Sequence, residues 1–250
     1  MRSGNNVNAL CAMARRNTRK YRQRLRRGLL WGLAAFVLLS VLPIVALRWL
    51  PPPTTAVMLQ RTLSEGRTQD YQWRPIERIS PQIALAVVAS EDQKFPRHWG
   101  FDLAALRDAV QAGARGERLR GASTLTQQVA RNLFLWQGRS YLRKALEAWI
   151  SVWLEILWPK QRILEVYLNI AETGDHTFGV EAAAQRYFGR PAERVSREQA
   201  ALLAAVLPSP RRYQAARPSA FVLQQRDRVL QQMSQLGGVA YLGDILPAPE

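Results

Sequence analysis

Residues Gly28 to Leu47 read GLLWGLAAFVLLSVLPIVAL, without a single charged side chain. At about 20 residues the run matches the hydrocarbon thickness of a bilayer, and no other stretch constrains the chain as much. Pro43, near its outer end, is compatible with a membrane helix. A cleaved signal peptide has an apolar core of only about 7–15 residues, and no small-x-small cleavage site precedes Arg48. A buried core helix fits less well, because Trp31, Phe36 and the leucines surround every face. The run therefore reads as an uncleaved anchor. Its leading flank carries Arg15, Arg16, Arg19, Lys20, Arg22, Arg24, Arg26 and Arg27. That flank sets the amino terminus in the cytoplasm and everything after residue 50 outside a cell inner membrane.

The formal net charge over the chain is +16, and the first acidic residue is Glu65. Arg2 and the flanking cations account for nine positive charges, leaving +7 for the rest, so the body is basic in its own right. Such a body calls for an anionic partner. DNA is absent from the outer compartment, which excludes nucleic acid and leaves anionic lipids and lipid-linked phosphates. Arg48, Arg61 and other cations near the anchor are candidates for holding the domain against anionic headgroups. Cys11 is the single cysteine, so no intrachain disulfide forms. With no external thiol and only His98 and His176, a resident metal centre is poorly supplied.

PPPTT at 51–55 is a stiff spacer, and 56–78 shows no strong period. Helix signals then come quickly. Ser80-Pro81 opens one helix. Asp102 caps a second, with Leu103, Leu106 and Val110 on one stripe and Gly113 or Gly116 at its end. Ser140 opens the longest, with Leu142, Leu146, Trp149, Trp153 and Leu157 on one face, until Pro159 stops or bends it before KQRILEVYLNIAE. Ser196 and Gln199 form a capping box, and Ser219 opens a final helix closed by Gly237-Gly238. Alternating strand patterns are scarce. The expected layout is a basic cytoplasmic tail (1–27), a transmembrane anchor (28–50), a linker and membrane-proximal segment (51–78) and one mostly α-helical domain (79–250).

Three stretches carry more polar chemistry than packing needs. In AVVASEDQKFPRHWG an apolar helix runs straight into Glu91 and Asp92. A carboxylate at the end of a packed element is partly shielded from water, which raises its proton affinity and suits a general base; a solvated acidic helix end is the plain alternative. RGASTLTQQVARNLFL, from Arg120, is dense in hydrogen-bond donors at a helix start and suits sugar hydroxyls or phosphate oxygens. In RSYLRKALEAW, Arg143 and Lys144 share one helix surface with Glu147, at i,i+4 and i,i+3. A surface ion pair is the common reading of that pattern. The tryptophan- and leucine-rich surroundings favour a cleft instead.

These three stretches resemble the ordered signatures of the family 51 glycosyltransferases, the peptidoglycan polymerases. EDQKFPRHWGFD is similar to the first, GASTLTQQVARNLFL to the second and RKALE to the third; KQRILEVYLNIAETG and GVEAAAQRYFG resemble the fourth and fifth. Together they cover roughly residues 78 to 215. No transpeptidase domain follows, which resembles the monofunctional branch. The resemblance implies a lysozyme-like, two-lobed helical domain preceded by one transmembrane helix. It implies Glu91 as the general base on the 4-hydroxyl of a lipid-linked disaccharide, lipid II. That oxygen attacks C1 of the growing glycan with release of undecaprenyl pyrophosphate. It implies Glu147 as a second catalytic carboxylate on the donor side. Asp92, Phe95, His98, Gly121, Ser123, Thr124, Gln127, Gln128, Arg131, Asn132, Arg143 and Lys144 are the implied substrate-binding set. Arg131 replaces the family's usual lysine, which alters the contact geometry available there. No cofactor is implied with certainty; a divalent cation, Mg2+ or Mn2+, is compatible with diphosphate chemistry, and no metal-ligand set is spelled out. The partners implied are lipid II, the growing glycan chain, inner-membrane lipids and other cell-wall synthases or division proteins. The alternatives are a lysozyme-like glycan hydrolase, which has no need of Arg131, Arg143 and Lys144 together, and a non-catalytic cell-wall scaffold. His98 reads as a structural hydrogen-bonder, His176 as part of a solvated polar loop, and Glu165 and Asn169 as braces.

Overall fold

A computed structural model describes residues 4–115, 123–138 and 140–246, with side chains described from residue 22 onward save at 110, 113 and 114. The chain divides into two units, Met1–Ala46 and Leu47–Glu250. The first is one helix, α1 (Gly4–Ala46), and its Arg22–Ala46 portion is long and apolar enough to cross a membrane. Leu29, Trp31 and Leu39 stand exposed along it, as a membrane helix requires.

The second unit is almost wholly helical, as expected of a lysozyme-like domain. Its centre is α3 (Pro81–Glu91), where Ile83 through Ala89 are all buried. A helix apolar on every face is stable only when covered on every face. The cover comes from α9 (Arg197–Val206) and α10 (Ala220–Gln235). The buried alanines 200, 201, 204 and 205 let α9 approach closely. A second group of helices comprises α5 (Leu125–Phe134), α6 (Tyr141–Leu157) and α7 (Lys160–Ile170), with α2 (Ala56–Glu65) against α5. The helix α8 (Val180–Phe188) touches both groups, through α7 and α9. The expected caps at Ser140, Ser196 and Ser219 form, and the Asp102 carboxylate accepts from Ala105 N–H to open α4 (Leu103–Ala114). Ser80 precedes Pro81 as expected, but its hydroxyl donates to the Val195 carbonyl and caps nothing.

Several expectations are corrected. Residues 51–78 are part of the folded unit: Thr55 caps α2, Val57, Met58 and Ile76 are buried, and β1 (Asp70–Tyr71) pairs with β3 (Thr177–Phe178). β3 also pairs antiparallel with β2 (Glu172–Gly174). His176 lies in that β2–β3 turn and is buried, with its Nε2 3.0 Å from a Glu65 oxygen, so the turn is not a solvated loop. Helix α4 runs through Gly113, Gly116 lies outside the described residues, and Leu103 and Leu106 are exposed where a core stripe was expected. On α6 the buried stripe is Glu147, Ile150, Ser151 and Leu154. It is rotated about 100°, one residue, from the expected leucine–tryptophan face. That face is half-buried except for Leu142, which is exposed, and Trp149 packs edge-on against Trp153.

Gly179, between β3 and α8, sits at φ +82°, and a Cβ there would collide with the Asn169 carbonyl of α7. Gly189, at φ +63°, ends α8 with open space around it. Gly179→Ala is expected to destabilise the detergent-solubilised chain by on the order of 3 kcal/mol or more. Gly189→Ala, which meets only the left-handed backbone penalty, is expected to cost about 1 kcal/mol. Denaturant unfolding of both variants measures the difference.

Candidate active site

Helix α3 ends at Glu91, and its next residue, Asp92, holds that end in place. Asp92 is buried; its Oδ2 accepts from Leu125 N–H at 2.9 Å, and both its oxygens lie 2.9 Å from His98 Nε2. The start of α5 is thereby tied to the end of α3. Thr124 reinforces the tie: it caps α5 in a reciprocal box with Gln127, and its hydroxyl donates to the Gly100 carbonyl at 2.6 Å. Between these anchors the loop folds over Phe95, which is completely buried with Lys160 Nζ 4.6 Å above its ring. Lys160 also donates to the His98 carbonyl and to Glu155.

With both helix ends fixed, α5 carries Gln128 and Arg131 past Glu91. Gln128 Nε2 donates to Glu91 Oε2 at 2.9 Å, and Tyr167 of α7 donates its hydroxyl to Gln128 Oε1 at 3.3 Å. Burial raises the proton affinity of Glu91 above that of an ordinary carboxylate; the Gln128 hydrogen bond and the Arg131 charge pull it back, and Asp92 adds to the rise. The result is a carboxylate of raised proton affinity, the property a general base requires.

Gln128 and Tyr167 line a groove of about 340 Å3 together with Arg131, Asn132, Arg143, Glu172, Phe178 and Pro210. Arg143 is set by Glu147, which is buried on α6 and accepts from Arg143 Nη1 at 2.7 Å. Arg143 Nε is buried without a hydrogen-bond partner among the described residues, a donor aimed at no protein group. A second hollow, of about 330 Å3, shares Arg143 with the groove and is otherwise lined by Ser140, Tyr141 and Lys144. The arrangement offers a base at one place and two arginines in the adjoining groove, with a lysine one hollow further on.

Of the expected binding set, Gln128, Arg131, Asn132 and Arg143 line the groove, and Lys144 flanks it. Ser123 is exposed, and Gly121 lies outside the described residues. Phe95, Thr124, Gln127, Asp92 and His98 are not among the groove's lining residues: Asp92 pairs with His98 and the Leu125 backbone, Thr124 bonds the Gly100 carbonyl, Gln127 Oε1 accepts from Thr124 N–H, and Phe95 is fully buried. Glu165 and Asn169, expected to brace the cleft, hold the entry segment instead, Glu165 accepting from Ile76 N–H and Asn169 holding the Arg74 backbone. Sequence reasoning missed Tyr167 and Glu172. Their only signal was position in the fourth motif stretch. Burial raises the proton affinity of Glu172, partly offset by its ion pair with Arg61 at 3.2 Å. That pair, with a second to Glu65, also removes Arg61 from the cations expected to be free for headgroups.

A raised folded-state pKa means that Glu91 lowers stability once ionised. The folded protein gains from Glu91 below the unfolded-state pKa near 4.3 and loses that gain as pH rises through the higher folded value. Glu91→Gln, which keeps a hydrogen-bonding partner for Gln128, is expected to raise the thermal midpoint at pH 7–8. The advantage is expected to disappear toward pH 4, as scanning calorimetry across that pH range would record.

Comparison with known proteins places these residues in context. A family model described as Transglycosylase matches residues 57–234. A protein of Stutzerimonas stutzeri named biosynthetic peptidoglycan transglycosylase is 53% identical over 229 residues, spanning 90% of this chain and 93% of that protein. Proteins of the same name from Pseudomonas putida strain F1 and Ectopseudomonas mendocina are 53% identical over 225 residues and 52% identical over 234. These alignments span 88% and 92% of this chain, and 94% and 95% of the respective relatives.

Proposed function

Because this chain belongs to the transglycosylase family, we infer that it is a membrane-anchored peptidoglycan glycosyltransferase that elongates glycan strands from lipid II. The observation that carries the reading is the pairing of Glu91, a carboxylate of raised proton affinity, with Arg131 and Arg143 in the adjoining groove. Glu91 takes the proton of the acceptor's 4-hydroxyl as that oxygen bonds to C1 of the growing glycan. The C1–O bond to the diphosphate breaks with inversion, giving a β-1,4 link, and the bonding electrons leave on undecaprenyl pyrophosphate. Arg131, Arg143 and Lys144 stabilise the negative charge that gathers there; groups of this kind, held in place before the charge develops, lower the barrier most. Glu147 acts by keeping Arg143 extended into the groove.

A hydrolase of neutral sugar links has no use for a cationic groove, which favours transfer over cleavage. Glu172, the one carboxylate among the groove's described lining residues, is paired with Arg61. A divalent cation, Mg2+ or Mn2+, would therefore be carried in by the diphosphate. The apolar helix α1 anchors the chain, and its arginine-rich flank supports an inner-membrane location with the catalytic unit outside. Inner-membrane lipids and other cell-wall synthases are the proposed partners.

The test is incubation of the purified full chain with labelled lipid-linked disaccharide. Elongation is expected, with Glu91→Gln slower by about 10²–10⁴-fold, the usual contribution of a general base. Arg143→Ala is expected to slow turnover by about 10²-fold or more, the scale for loss of one charge-stabilising donor. Shortened strands without elongation would remove the polymerase reading.

A further inference from the structure

Gln128 makes the one hydrogen bond described between the groove's lining residues and Glu91, and a carboxamide has two chemically opposite ends. With its nitrogen toward Glu91 it donates to the carboxylate; turned by about 180° it would set oxygen against oxygen. Glu91 alone does not hold the productive orientation throughout a cycle, because its own charge changes when it takes a proton. A second partner that always donates would hold it. Tyr167 is that partner by position. It is 2% exposed, it lines the groove, and its hydroxyl meets Gln128 Oε1 at 3.3 Å.

We propose that Tyr167 is a positioning residue for the transfer reaction, acting through Gln128: its hydroxyl fixes the carboxamide so that the nitrogen faces Glu91 and keeps the base ionised and oriented. This rests on the reading of Glu91 as the base. Burial, and then the charge of Glu91, hold the Tyr167 proton on far above the ordinary tyrosine range, so the hydroxyl keeps its proton to donate to Gln128 Oε1 at every working pH. Its neighbours on α7 do different work. Glu165 and Asn169 face the segment around Arg74 and Ile76, so Tyr167 alone of the three turns to the site. Packing needs only the ring, which phenylalanine would supply equally. The charged and titratable groups acting on Glu91 are Asp92 beside it on the chain, Arg131 from α5 and Tyr167 from α7; Gln128 is the neutral group between. A buried tyrosine hydroxyl also takes a partner for purely structural reasons, and that alternative predicts a loss of stability without any effect on Glu91.

The experiment follows the Glu91 carboxyl directly, by 13C NMR of the full chain labelled at the glutamate carboxyl carbon in detergent micelles, with Glu91→Gln to assign the resonance. In Tyr167→Phe the Glu91 titration midpoint is expected to rise by about half a pH unit or more, the scale of one weakened hydrogen bond. The same substitution in a Gln128→Ala background is expected to leave the midpoint where Gln128→Ala alone puts it, since residues acting in series are not additive. Turnover of lipid-linked disaccharide by Tyr167→Phe is expected to fall roughly 3–10-fold on the acid side of the profile and to recover at higher pH, with KM unchanged. An unmoved Glu91 midpoint overturns the proposal, and so does an equal shift in the Gln128→Ala background. Because the titration needs no turnover, a wild-type chain that fails to polymerise while its midpoint moves as expected would overturn the polymerase reading and leave the positioning role standing.

Discussion

The Asp92 carboxylate is the joint on which the site depends. It accepts from Leu125 N–H, the first residue of α5, and from His98 Nε2, while its own backbone closes α3 on the Val88 carbonyl. One side chain therefore fixes a helix end, a helix start and the loop between. With that joint closed, α5 passes close enough for Gln128 to meet Glu91. The neighbouring carboxylates divide two incompatible tasks. Asp92 is an anchor because its two oxygens are taken up by the Leu125 N–H and His98. Glu91 receives a neutral donor from Gln128 and is half-buried, and that burial raises its affinity for a proton.

The same logic governs the cations. Arg143 and Glu147 form a half-buried pair on α6, and the carboxylate orients the guanidinium while leaving its Nε unbonded among the described residues. A buried donor without a partner is unfavourable in the resting protein. Glu91, ionised and half-buried, carries a similar penalty. The apolar burial along α3 offsets both, since each fully buried valine, leucine or isoleucine contributes roughly 1.5–3 kcal/mol before chain entropy is counted. The helix that delivers the base is thus also the helix that stabilises it.

What the sequence made legible was local or periodic. The uninterrupted apolar run from Ile83 to Ala89 announced a central helix ending at Glu91, and the caps at Ser140, Ser196 and Ser219 each appear as written. Arg131 and Arg143 could be assigned to one cleft from motif order alone. What stayed hidden is set by tertiary contact. Strands of two or three residues, such as Asp70–Tyr71 and Thr177–Phe178, carry no period to read, so the small sheet and the burial of His176 were invisible. Thr124 and Gln127 look like sugar contacts in a polar run, but the Thr124 hydroxyl and Gln127 Oε1 are engaged in a capping box. On α6, aromatic bulk suggested one face, whereas the core took the face bearing Glu147 and Ser151 because the ion pair with Arg143 and the hydroxyl bond to the Glu147 carbonyl satisfy their polar atoms.

Helix α7 shows how one element can serve both tethering and chemistry. Arg162, Glu165 and Asn169, at i, i+3 and i+7, form a stripe toward the segment that enters the domain. Arg162 Nη2 donates to the carbonyls of Leu47 and Leu50 at 2.8 and 2.6 Å, and its guanidinium stacks 4.9 Å from the Trp73 ring centroid. Glu165 receives Arg162 Nη1 and Ile76 N–H, and Asn169 pairs with both backbone groups of Arg74. Planar, multidentate donors suit this use because they fix direction as well as distance. Tyr167 projects from between those residues to the groove. The residues that hold the entry segment and the one that meets Gln128 therefore share one buried helix, packed without room for slack around the Tyr167 ring.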